Sequence, residues 1–109
     1  MKPLTWLGDS LETVRDFPAD AKAAIGYELH RVQSGADPAD WKPMPAIGLG
    51  AREVRVNVGT AHRVFYVAKF DDAVYVLHAF EKRTRATPSQ AIDLAQKRLG
   101  DLLRRRAQK

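Results

Sequence analysis

The stretch Ala51-Arg52-Glu53-Val54-Arg55-Val56-Asn57-Val58, Gly59-Thr60-Ala61, His62-Arg63-Val64-Phe65-Tyr66-Val67 decides the fold. Val54, Val56 and Val58 alternate with Glu53, Arg55 and Asn57, the two-residue period of a strand with one apolar and one polar face. Gly59-Thr60-Ala61 reads as a turn into a second strand, Arg63 to Ala68, and Asp71-Asp72 as a turn into a third, Val74 to Phe80. Three strands in an antiparallel meander follow. The alternation sets Glu53 and Arg55 on one face, and Arg63 can pair across from Arg55 on the neighbouring strand. Two cations so placed repel each other unless an anion such as phosphate lies between them.

Upstream, Pro18 suits the first turn of a helix, because it has no amide hydrogen to lose there. Ala21, Ile25, Leu29 and Val32 then recur at helical spacing, with Lys22, Glu28 and Arg31 elsewhere on the circumference. The spacing predicts a helix from Pro18 to Gln33, stopped by Gly35, and Leu11 and Val14 mark a shorter one before it. From Ala36 to Gly50 the prolines and glycines predict a surface loop, anchored on the core by Trp41. Downstream, Ile92, Ala95, Leu99, Leu102 and Leu103 form the stripe of a last helix, with Thr87 as N-cap and Pro88 at the first helical position. The expected architecture is a single α+β domain over residues 1–109: N-terminal helices, an antiparallel sheet meander and a C-terminal helix, with the helices covering one sheet face.

The chain holds 109 residues without cysteine, which excludes disulfides, thiolate metal sites and cysteine nucleophiles. His30, His62 and His78 show no ligand spacing, so no metal and no cofactor are expected. No apolar run reaches membrane-spanning length and no signal peptide is apparent, so a cytoplasmic protein with no membrane partner is expected. The formal net charge of +5 is uneven. Nine Lys or Arg against three acids give +6 from Glu81 onward; nine against ten give −1 before it. A basic C-terminal quarter attracts nucleic acid through phosphates, or serves as a solvated face that maintains solubility.

The run Gly48-Leu49-Gly50-Ala51-Arg52-Glu53-Val54-Arg55, then His62-Arg63-Val64-Phe65-Tyr66, then Val76-Leu77-His78-Ala79-Phe80-Glu81-Lys82-Arg83-Thr84 with Thr87-Pro88, resembles the phage Gp49-like (HigB-type) branch of the RelE/ParE toxin superfamily. Phe17-Pro18, Leu29 to Gly35 and Lys42-Pro43-Met44-Pro45 add to the likeness. Two departures stand out: a lysine pair becomes Lys82-Arg83, and a tyrosine before the central arginine becomes His62. The resemblance implies a RelE-like fold and a type II toxin that cleaves mRNA on the ribosome as a metal-independent endoribonuclease. Its partners would be the ribosome, mRNA and a cognate antitoxin with a helix-turn-helix domain. A gyrase-inhibiting ParE-like toxin, or an inactive prophage-derived protein that only binds its antitoxin, shares the same fold and is the alternative.

For cleavage by a ribose 2′-hydroxyl, the candidates are Glu53, Arg55, Arg63, His78 and Lys82, with His78 and Glu53 interchangeable as proton carriers. Arg83, Arg85, Lys97, Arg98, Arg104, Arg105 and Arg106 are the expected RNA contacts. Plainer readings stand beside these. Glu53 with Arg55 or Arg63 is a surface salt bridge; His78 is a core histidine; Trp6, Trp41, Phe65 and Tyr66 are core residues. His62, near a turn, is expected to be exposed. Arg63 is expected to be removable without harm to the fold, and Leu7, Leu11 and Val14 to form an apolar patch for the antitoxin.

Overall fold

The structure, a computed structural model, describes residues 1–108. Its elements are β1 (Leu4–Trp6), α1 (Ser10–Arg15), α2 (Ala19–Gln33), β2 (Trp41–Pro43), β3 (Ala51–Val58), β4 (Thr60–Val67), β5 (Val74–Lys82) and α3 (Ser89–Ala107). The meander β3-β4-β5 forms as the alternation requires. Gly59, with φ of +73°, makes the β3–β4 reversal where a side chain would be strained. The sheet has five strands in the order β1-β5-β4-β3-β2, with β1 parallel to β5 and the other pairs antiparallel. Both edge strands have three residues, too few to display a period, so the sequence gives no sign of them; β2 lies inside the expected loop.

The helices cover both faces of the sheet, not one. Ile25, Leu29 and Val32 of α2 and Val14 of α1 pack on Val54, Val56, Val64, Tyr66, Val74 and Val76. On the other face Ala91, Ala95, Leu99 and Leu102 of α3 pack on Phe65, Val67, Tyr75 and Leu77. The reason lies in β4, where Val64, Phe65, Tyr66 and Val67 are all buried. A strand buried on two sides reads as an apolar run instead of an alternation. Each fully buried aliphatic in these layers contributes about 1.5–3 kcal/mol.

Several local expectations change with burial. Leu7 and Val14 belong to the two cores, which leaves half-buried Leu11 as the one member of the expected apolar patch outside them. Glu28, set on the polar side of α2 by its spacing, is buried and its Oε2 accepts the Ala39 amide at 2.6 Å, which ties the loop to the helix. Trp41 sits in β2, half-buried beneath the Arg52 guanidinium at 4.3 Å. Pro88, not Thr87, is the N-cap of α3, and Leu103 of its stripe is exposed. Among the described residues no helix is long and apolar enough to cross a membrane.

Candidate active site

Residues directly opposite one another in antiparallel strands share a face, so the registers place side chains in rows. On the α3 face one row runs Lys42, Glu53, Phe65, His78 across β2, β3, β4 and β5. The next runs Arg55, Arg63, Phe80, and the third Asn57, Ala61, Lys82. Successive rows lie about 7 Å apart, two strand residues on. His78 owes its place to an irregularity: Phe65 pairs with His78 but Tyr66 with Val76, so Leu77 is skipped. Leu77 packs under α3 and His78 follows it onto the same face.

Glu53 is the hub of the first two rows. Its Oε1 accepts from Arg55 Nε at 3.1 Å and lies 4.0 Å from both Lys42 Nζ and Arg63 Nε. It is 1% exposed, so the expected surface salt bridge is a buried carboxylate among three cations. Arg63 is 8% exposed and donates from Nη1 to Asn57 Oδ1 at 3.0 Å and to the His62 carbonyl at 2.9 Å. A buried cation with these partners has a structural part in the fold, contrary to the expectation that it is removable. Arg55, with about a third of its side chain exposed, also approaches Asp40 at 4.0 Å. Of the two cations of its row it is the one that reaches solvent.

His78 is half-buried and stacks on Phe80 at 5.7 Å. Burial holds its imidazole below the ordinary histidine range, Arg98 adds to the effect, and Asp9 opposes both. Three buried polar atoms on this face have no hydrogen-bond partner: Glu53 Oε2, Arg63 Nε and His78 Nδ1. Each such atom costs about 1–3 kcal/mol when left dry, and a cluster of them marks a place where stability has been conceded.

His62, expected to be exposed, is 1% exposed and faces the opposite core, where its ring meets Phe17 at 4.6 Å. Even residues of β4 point to the α1–α2 face, so its nearness to a turn in sequence was misleading. Phe65 and Tyr66 are core as expected; Trp6 and Trp41 are half-buried.

The basic candidates divide by what they touch. Arg98 donates to the Leu77 carbonyl at 2.9 Å and to Asp9 at 2.7 Å, and its side chain is 15% exposed. Arg106 binds Asp72 at 3.1 Å and lies 3.9 Å over the Phe70 ring. Arg98 is folded inward, and Arg106 is held against Asp72 and Phe70 with about a third of its side chain exposed. Arg104 pairs with Asp101 one turn away, and Arg83 with Glu81 at 2.7 Å, both remaining largely in solvent. Arg85, Lys97 and Arg105 are exposed. Lys42, Asp40 and Asn57 complete the cluster but escape sequence reading, because their place depends on β2 and on the register of the hairpin.

The family model of phage derived protein Gp49-like matches residues 12–100. The chain belongs to the Gp49-like family. In this Gp49-like protein the match takes in all three rows and the start of α3, and stops short of β1, Gly8, Asp9 and the Arg104 to Arg106 run. No curated protein matches the chain.

Proposed function

We propose that this Gp49-like protein is the toxin of a type II toxin–antitoxin pair, a metal-independent endoribonuclease that cleaves mRNA on the ribosome. The observation that carries the reading is the order of the rows. The cationic row, Arg55 and Arg63, lies between His78 on one side and Lys82 on the other, each one row away. In-line cleavage of RNA needs that order: a base at the 2′-hydroxyl, cations at the phosphate, an acid at the departing oxygen.

His78 takes the 2′-proton. Burial and Arg98 favour its neutral form, and with the one ring proton on the buried Nδ1 the lone pair of Nε2 is the acceptor. The 2′-oxygen forms a bond to phosphorus while the bond from phosphorus to the 5′-oxygen breaks. Lys82 gives that oxygen its proton, leaving a 2′,3′-cyclic phosphate and a 5′-hydroxyl. Arg55 stabilises the charge on the phosphoryl oxygens. Glu53 holds Arg55 through the bond to its Nε, and Arg63 offsets the rest of the Glu53 charge. Arg83, Arg85, Lys97, Arg104 and Arg105 supply phosphate contacts to the ribosome, and an antitoxin silences the protein during growth.

Cell-free translation with primer extension, run beside a gyrase supercoiling assay, tests this. Cleavage of translated mRNA with supercoiling untouched is the expected result. Inhibition of supercoiling with intact mRNA would replace the reading with that of a gyrase poison.

A further inference from the structure

Arg98 belongs, by sequence, to a basic helix face turned to RNA, yet its guanidinium is folded inward between β5 and the turn before α1. One nitrogen donates to the carbonyl of Leu77, the residue skipped by the β4–β5 register, and another to Asp9. Gly8 makes the fit possible. It has φ of +55°, and a Cβ there would fall within the Arg98 guanidinium. The charged groups acting on His78 are the same pair, Arg98 from α3 and Asp9 from the turn before α1.

We propose that Arg98, seated on Gly8 and Asp9, is the positioning residue of His78; the proposal rests on the ribonuclease reading above, in which His78 is the base. The Leu77 carbonyl is the handle. A bulge residue has no cross-strand partner to fix its peptide plane, and a charged donor from a second element supplies one. With Leu77 fixed, the side chain that follows it is held on the α3 face. Arg98 does not reach the RNA in this role, and its positive charge keeps the neighbouring imidazole ready to accept a proton.

Two variants disturb the seat by different means. Arg98→Gln removes the charge; Gly8→Ala displaces the guanidinium and leaves every cation of α3 in place. The exposed Arg105→Gln is the control. The measurements are the midpoint of His78 titration by NMR and the kcat and KM of ribosome-dependent cleavage. Arg98→Gln should raise the His78 midpoint by about half a pH unit. Both seat variants should lower kcat about tenfold at unchanged KM, with the acid limb of the rate profile moving alongside the midpoint. Arg105→Gln should change KM alone. Asp9→Asn should lower the midpoint, a sign opposite to that of Arg98→Gln, and serves in its place if Arg98→Gln does not fold.

An unmoved midpoint in Arg98→Gln, or a loss confined to KM and shared with Arg105→Gln, would overturn the proposal and return Arg98 to RNA binding. If the wild-type chain cleaves nothing, the ribonuclease reading fails by itself. The NMR midpoints and the exchange rates of the Leu77 and His78 amides still decide whether the seat positions His78.

Discussion

The two faces of β3 and β4 come from alternate residues of one hairpin and are built on opposite terms. Toward α1 and α2 stand Val54, Val56, Val64 and Tyr66, packed against aliphatic side chains, with His62 Nε2 and the Tyr66 hydroxyl buried without partners but with no cluster of charges among the described residues. Toward α3, the same strands carry Glu53, Arg55, Asn57 and Arg63, with buried charges and polar atoms that lack partners. The first face accounts for stability. The second consumes some of it to hold cations in a fixed array, and that concession is what a site for an anionic substrate requires.

Removing one partner of the buried pair should give the largest effect. Arg63→Ala is expected to cost about 3–5 kcal/mol in urea denaturation, because Glu53 would stay buried with less compensation. The double variant Glu53→Leu with Arg63→Met should regain most of that stability and cleave nothing, which would show the charges to be there for function. On the opposite face Ile25→Ala should cost about 3 kcal/mol, with cleavage per folded molecule unchanged. If that variant lost activity in proportion, the faces would not be separable.

Arg55→Ala should reach both properties: cleavage down about a hundredfold, or about 2.7 kcal/mol in the barrier, and stability down by about 1–3 kcal/mol, because the buried Glu53 carboxylate loses its hydrogen-bonded cation. Single-turnover cleavage on programmed ribosomes measures the first and thermal melting the second. A smaller effect follows from His78, whose folded-state titration lies below its unfolded one. Below the ordinary histidine value of about 6.5 the unfolded chain binds the proton first, so stability falls as pH drops through that range and returns as it rises. His78→Gln should flatten this part of the pH–stability curve. Smallest are Arg104→Ala and Arg105→Ala, each expected to reduce the salt slope of ribosome binding by about one unit without change in kcat.

Reading the sequence went furthest where period and register suffice. The α2 stripe of Ala21, Ile25, Leu29 and Val32 is buried as spaced, and Arg55 and Arg63 are cross-strand partners. It stopped where placement depends on distant chain. Nothing local distinguishes Arg98, bonded to Asp9, from Arg105, which is exposed on the same helix. The burial of Glu53 and His62 could not be inferred from β3 and β4 alone, since it depends on which helix packs over each face. Lys42 could join Glu53 only once the proline-rich stretch around it was known to contain a strand.

The parallel strand β1 has its partner in β5, some seventy residues later in the chain, with Leu4 beside Val74 and Trp6 beside Val76. Arg98, later still, reaches back to Asp9. Synthesis runs from the N-terminal side, so β1 waits unpaired until β5 has been made, and His78 gains its charged neighbour Arg98 only when α3 follows. The rows of the β3–β4 hairpin can therefore form before Arg98 has been made, and the seat of His78 is the part of the site set last.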